Sequence, residues 1–67
     1  MQLLVFNTTT KSAKLYDPNG VITSLWDNVP TVKVQEGFYE VIQKDEFDKN
    51  YPVFRCPISN TNMKIEK

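Results

Sequence analysis

Hydrophobic and polar residues alternate along most of this chain in short runs, and a period of about two residues is typical of β-strands. In residues 12–17, for example, Ala13 and Leu15 fall on one face, whereas Lys14 and Tyr16 fall on the other. Strands are predicted at Gln2–Asn7, Ser12–Asp17, Val21–Trp26, Thr31–Gln35, Phe38–Lys44, Tyr51–Pro57 and Met63–Ile65. No segment has the period of an amphipathic helix.

Two breaks separate the strands of the N-terminal half. Asp17-Pro18-Asn19-Gly20 has the residues of a type I turn that ends in a left-handed glycine. Residues 12–17 and 21–26 are therefore predicted to pair as an antiparallel hairpin. Pro30 ends the next run because it has no N–H donor and holds Val29 in extended geometry.

The stretch Gly37–Met63 is predicted to organise the fold as a hairpin around a charged turn. Its first strand is apolar on both faces, with Tyr39 and Val41 on one face and Phe38 and Ile42 on the other. A strand of this kind is either central in its sheet or presents aromatic side chains for binding.

The same alternation predicts which side chains of the remaining strands face the core. They are Val32, Val34, Phe54, Cys56, Met63 and Ile65. Pro52 and Pro57 bracket the return strand, which indicates a sheet edge. The polar run Ser59–Asn62 can bond its own backbone, and it predicts a tight turn or a 3₁₀ segment. Phe47, in the charged turn, is interpreted either as a cover on the core or as an exposed contact.

Five to seven short strands in 67 residues predict one all-β domain, residues 1–67. We expect a small antiparallel barrel or a curled sheet. The hairpin at Gly37–Met63 would form its middle. The hairpin at Asp17–Gly20 is predicted to close one side, and Met63–Ile65 to close the other.

Three segments resemble those of SH3-type domains. Ala13–Asp17 is similar to their Ala-Leu-Tyr-Asp-Tyr-like opening strand, with one insertion. Phe38-Tyr39 matches the aromatic pair that opens their central hairpin, and Pro57–Met63 resembles their Pro-Ser-Asn-Tyr-Val-like corner. The resemblance implies an SH3-like barrel whose aromatic groove accepts proline-rich segments in polyproline II conformation. The groove residues that it implies are Tyr16, Phe38 or Tyr39, and Pro57.

Acidic and basic residues balance, with eight of each, which excludes the strongly basic surface typical of duplex nucleic-acid binding. The charges are unevenly distributed, however. Residues 36–48 contain five acidic residues and one lysine, and residues 49–67 contain four basic residues and one glutamate. We interpret this as a solvated acidic loop beside a basic edge, or as an acidic patch for a basic partner.

The residues needed for common catalytic and metal sites are missing. The chain has no histidine, which excludes a Cys–His nucleophile and a zinc site of ordinary composition. Its only glycines are Gly20 and Gly37, so it has no glycine-rich phosphate loop. The acidic run at residues 45–50 lacks the glycine and the bidentate glutamate of a calcium loop. We therefore expect neither enzymatic activity nor a cofactor.

The single cysteine, Cys56, excludes an intrachain disulfide and favours a reducing compartment such as the cytoplasm. Leu3–Phe6 is too short for a signal peptide or a membrane span. Small size without recognisable chemistry suggests an accessory protein of the kind that phages and mobile elements encode. Such a protein would act in the host cytoplasm.

Two non-enzymatic functions remain open. The favoured one is an interaction module that binds a protein partner, or a second copy of itself, through exposed aromatic residues and the acidic loop. Its candidate partner-binding residues are Tyr16, Phe38, Tyr39, Glu40, Phe47 and Pro57. No membrane partner is expected.

The alternative function is binding of single-stranded nucleic acid. Bases would then stack on Tyr16, Trp26, Phe38 or Tyr39. Phosphates would meet Lys11, Lys14, Lys33, Arg55 and Lys64. Nucleic acid is the less favoured partner because phosphate contacts normally need a surplus of basic residues.

Overall fold

Seven β-strands and one 3₁₀ turn make up the computed structural model, which describes residues 1–67. The strands are β1 (Gln2–Asn7), β2 (Ser12–Tyr16), β3 (Ile22–Trp26), β4 (Thr31–Gln35), β5 (Phe38–Lys44), β6 (Asn50–Pro57) and β7 (Thr61–Glu66). The 3₁₀ turn, Ile58–Asn60, joins β6 to β7. The predicted all-β fold is confirmed. None of its elements is a helix long and apolar enough to cross a membrane.

The strands form two sheets that do not close into a barrel. One sheet has the order β3-β2-β1-β7, and the other has the order β4-β5-β6. The predicted hairpin around Asp17–Gly20 is present as the antiparallel pair β2–β3. β1 and β7 run parallel, in contrast to the antiparallel arrangement expected throughout.

The expected closure of a barrel by the Asp17–Gly20 hairpin and by Met63–Ile65 is wrong. The hairpin and Met63–Ile65 both belong to the four-stranded sheet, where Met63–Ile65 pairs with β1, and neither pairs with β5 or β6. Pro57 has no N–H to continue the ladder, and the 3₁₀ turn after it carries the chain across to the other sheet. The turn predicted at Ser59–Asn62 thus lies at Ile58–Asn60, where the chain crosses between the two sheets, and Thr61 and Asn62 already belong to β7.

One hydrophobic core lies between the sheets. It consists of Leu4, Phe6, Ala13, Leu15, Val29, Val32, Val41 and Cys56. Phe54 and Met63 pack against it, as predicted. Val34 and Ile65 were expected to face the core, but they are 67% and 54% exposed. Exposure rises along the second halves of β4 and β7, so these ends lie beyond the reach of the core.

The β2–β3 and β5–β6 loops have the same hydrogen-bond pattern. In each, an aspartate carboxylate, from Asp17 or Asp45, accepts from the N–H groups two and four residues later at 2.9 Å. The aspartate carbonyl accepts from the N–H three residues later, at 3.0 and 3.1 Å. That third residue has positive φ in both loops: 84° at Gly20 and 62° at Asp48. A charged turn was predicted at the second loop, but its left-handed residue was not, because Asp48 occupies the position where glycine is usual.

The segment between β3 and β4 ties the two sheets together. Val29 is fully buried, and its N–H donates to the carbonyl of Lys11 at 2.8 Å. The carbonyl of Asn28 accepts from the N–H of Lys44, also at 2.8 Å. These two bonds connect the segment to the β1–β2 turn and to the end of β5. They therefore fix the end of the molecule at which the β5–β6 loop begins.

Candidate interaction surface

The outer face of the three-stranded sheet carries a compact group of candidate binding residues. Strand alternation turns Tyr39 and Val41 toward the core and leaves Phe38 and Glu40 on the outside. On the neighbouring β6, Pro57 lies opposite Phe38 and Arg55 lies opposite Glu40. We call Phe38, Glu40, Arg55 and Pro57 the Phe38 surface.

Arg55 is fixed on this surface by two contacts. Its Nε donates to Glu40 Oε2 at 2.8 Å, and its guanidinium carbon lies 5.1 Å from the centre of the Phe38 ring. The Glu40 side chain is only 9% exposed, whereas that of Arg55 is 65% exposed. The terminal nitrogens of Arg55 make no hydrogen bond within the chain. Their planar fork is therefore available to a carboxylate, which it can bind in bidentate geometry.

The Phe38 surface is neutral by itself, with Glu40 and Arg55 as its charged members, and it has a net charge of +1 together with neighbouring Lys33. Lys33 on β4 lies opposite Glu40 in the sheet register, on the side away from Arg55. One buried carboxylate thus stands between two exposed cations. An acidic patch that includes Glu40 is excluded, because this carboxylate is bonded to Arg55 and shielded from solvent. The acidic character of residues 36–48 is concentrated instead in the β5–β6 loop and at Glu36.

An open concavity adjoins Phe38. It is lined by Gly37, Phe38, Arg55, Cys56 and Pro57, and its volume is about 270 Å³. Pockets that enclose a drug-sized ligand have volumes of roughly 300–1,000 Å³. This concavity is slightly smaller than that range and is open to solvent.

The structure brings together three of the six predicted partner-binding residues, namely Phe38, Glu40 and Pro57. Tyr39 lies on the opposite face of the same strand and packs, half-buried, against the core, so it is not part of the Phe38 surface. Its role as a contact stays a prediction. Tyr16 lies on β2, in the other sheet. Phe47 is 73% exposed in the β5–β6 loop, which excludes its interpretation as a cover on the core.

Arg55 was missed as a partner-binding residue. In the sequence it stands alone between apolar residues, and only the nucleic-acid hypothesis used it. Its role depends on the cross-strand register that places it opposite Glu40, and this register includes an irregularity between Val41 and Ile42. A hairpin counted without this irregularity pairs different residues.

The residues proposed to stack nucleic-acid bases do not form one platform. The Trp26 ring lies 5.1 Å from that of Phe54, and both residues pack against the core together with Tyr39. Tyr16 and Phe38 remain, and they belong to different sheets. Stacking of successive bases needs neighbouring exposed rings. The predicted stacking residues therefore do not form one exposed platform.

No group of three or more His, Cys, Asp or Glu side chains is placed to hold a metal ion. Comparison with known protein families, known proteins and solved structures finds no match to this chain. The structure agrees with the SH3 resemblance only in being a small domain built of β-sheets.

Proposed function

We propose that this protein is a non-catalytic interaction module that binds a partner protein through the Phe38 surface. The observation that carries the proposal is the state of Arg55. Its side chain is 65% exposed, yet Glu40 and Phe38 hold it in one place. Arginine and aromatic residues are the side chains most enriched at the energetic centres of protein interfaces.

A fixed arginine binds at lower entropic cost than a mobile one. Immobilising one flexible side chain at an interface costs about 0.5–1.5 kcal/mol. For Arg55 the bond to Glu40 and the stacking on Phe38 impose this order before any partner arrives. Glu40 therefore acts as a positioning residue, and Arg55 makes the contact.

The chemistry of the surface defines the partner. A carboxylate would pair with the Arg55 fork, and an apolar or proline side chain would fill the concavity between Phe38 and Pro57. The partner is thus an extended segment with an acidic residue beside an apolar one. This proposal keeps Phe38 and Pro57 from the SH3-like groove and uses Arg55 in place of Tyr16. Such a module fits the expected cytoplasmic accessory protein.

Selection from a random peptide library, followed by calorimetric titration of the selected peptides, tests this function. We expect enrichment of Asp or Glu next to Pro or a large apolar residue. Arg55→Lys, which retains the charge but loses the fork, should weaken binding by roughly tenfold or more. Phe38→Ala should weaken it similarly.

Lys64→Ala, on the opposite sheet, is the matched control and should leave binding unchanged. Selected peptides without an acidic residue, or affinity unchanged in Arg55→Lys, would overturn the proposal.

A further inference from the structure

The turn between β2 and β3 contains the only asparagine–glycine pair of the chain, Asn19-Gly20. Both residues are exposed, and no atom lies within 4 Å of the position that a Cβ on Gly20 would occupy. The backbone N–H of Asn19 donates to the Asp17 carboxylate at 2.9 Å, but the Asn19 side-chain amide makes no hydrogen bond within the chain. This amide and the backbone nitrogen of Gly20 are therefore both open to solvent and free of steric cover.

These two groups can react with each other without an enzyme. The Gly20 nitrogen gives up its proton and attacks Cγ of Asn19. A bond forms between them, the bond from Cγ to the side-chain nitrogen breaks, and that nitrogen leaves as ammonia with the proton. Water then opens the resulting succinimide ring at either carbonyl, which yields aspartate or isoaspartate. Glycine favours the attack because it has no Cβ to crowd its nitrogen.

The other asparagines of the chain lack this combination. Each precedes a residue whose side chain crowds the attacking nitrogen, and they are Asn7, Asn28, Asn50, Asn60 and Asn62. The side chain of Asn7 is also held, because its Oδ1 accepts from the N–H groups of Thr9 and Thr10 at 2.9 and 3.0 Å. These five residues serve as internal controls for Asn19.

Hydrogen bonds to Asp17 oppose this reaction in the folded turn. The N–H of Gly20 donates to the Asp17 carbonyl at 3.0 Å. The N–H groups on either side of it, from Asn19 and Val21, both donate to the Asp17 carboxylate at 2.9 Å. The Gly20 nitrogen must leave its hydrogen bond before it loses the proton, and the nearby negative charge disfavours the anion that results. Asp17 therefore slows the attack by geometry and by charge.

We infer that Asn19 is a site of spontaneous deamidation and that Asp17 controls its rate. Isoaspartate adds one methylene to the main chain of a turn whose ends are joined by the 2.9 Å bond from the Asp17 N–H to the Val21 carbonyl. The lengthened turn no longer fits this set of bonds. Because β3 is an edge strand with β2 as its one neighbour, the modification loosens β3 and its Trp26. It involves no residue of the Phe38 surface, so it is independent of the proposed partner-binding function.

Incubation of the native protein at mildly alkaline pH, followed by peptide mass spectrometry, tests this inference. Isoaspartate is identified by its resistance to an aspartate-specific protease. Asn19 should convert faster than each of the other five asparagines. Asp17→Ala removes the carboxylate and should raise the rate at Asn19 by roughly tenfold or more, the factor that one hydrogen bond to a charged group contributes. Asp17→Asn keeps an acceptor oxygen without the charge, so its rate should be intermediate. The amide that it introduces precedes Pro18, which has no N–H and cannot attack.

Three controls isolate the role of the turn. Asp45→Ala, the matched change in the β5–β6 loop, should leave the rate at Asn19 unchanged. In urea that unfolds the protein, the wild type should react faster than in the native state, and its rate should approach that of the Asp17 variants. Asn19→Gln, incubated in parallel, should keep the Trp26 emission that the modified wild type loses. A native rate at Asn19 no higher than at the other asparagines, or a rate that neither Asp17 substitution raises, would overturn the inference.

Discussion

The pairing of Glu40 with Arg55 predicts that the two residues contribute unequally to stability. The perturbations are Arg55→Met, Glu40→Met and the double substitution. The Glu40 side chain is 9% exposed and that of Arg55 is 65% exposed. Removing Arg55 leaves a shielded carboxylate without its bonded partner, whereas removing Glu40 leaves a guanidinium that water can solvate.

The difference in exposure between Glu40 and Arg55 determines how much stability each substitution should cost. Breaking a fully buried ion pair costs about 3–5 kcal/mol, and a single hydrogen bond to a charged group contributes about 1.5–3 kcal/mol. Because Arg55 is largely exposed and Lys33 lies next to Glu40 in the sheet, the lower range applies. We expect Arg55→Met to cost ~2 kcal/mol and Glu40→Met less than ~1 kcal/mol. The double variant should resemble Glu40→Met.

Urea unfolding followed by tryptophan fluorescence measures these values. Trp26 is half-buried against Phe54, so its emission reports loss of the core. A loss of ~2 kcal/mol corresponds to a fall of roughly 8–16 °C in melting temperature for a domain of this size. The proposed role of the ion pair is refuted if Glu40→Met lowers the free energy of unfolding more than Arg55→Met does. It is also refuted if the two losses add in the double variant, because the ion pair would then contribute nothing.

Two further predictions concern the loops and the core. Gly20→Ala should lower the free energy of unfolding by ~1 kcal/mol because φ is 84° there, although no atom lies within 4 Å of an added Cβ. Asp48→Gly, at the equivalent position with φ of 62°, should change the free energy of unfolding by less than ~0.5 kcal/mol, since relief of backbone strain offsets the greater freedom of the unfolded chain. If the two variants lost the same free energy of unfolding, the equivalence of the loops would be contradicted. Cys56 is 2% exposed, so a thiol reagent should modify it only as fast as the protein unfolds; rapid modification in native buffer would show that the core is open.

The strands were predictable because their signal is local. Alternation in residues 12–16 matches the buried and exposed faces of β2. The Asp-Pro-Asn-Gly sequence likewise specified its hairpin turn, since each residue suits its own backbone conformation. The same local logic placed Phe54 and Cys56 toward the core and β6 at an edge.

Pairing between distant strands could not be predicted in the same way. Nothing local in residues 61–66 shows that they lie parallel to β1. The same limit applies to the Phe38 surface. Alternation predicts that Phe38 and Glu40 share a face of β5, but Arg55 lies beside them only because of the register between β5 and β6. Val34 follows the alternation and is still exposed, since the end of β4 outruns the core. Local pattern determines which face a residue takes, and tertiary arrangement determines what covers that face.

The parallel pairing of β1 with β7 constrains the order in which the chain can fold during synthesis. β1 carries Leu4 and Phe6 into the core, and one of its two neighbours is formed by residues 61–66. A ribosome exposes β1 with only β2 beside it until those residues have emerged. Pairing between strands as far apart in the chain as β1 and β7 is slow to form. Until it forms, the open edge of β1 is where premature pairing with another chain would occur. β1 precedes every other strand in the chain, but it must wait for the last strand before both of its edges are paired.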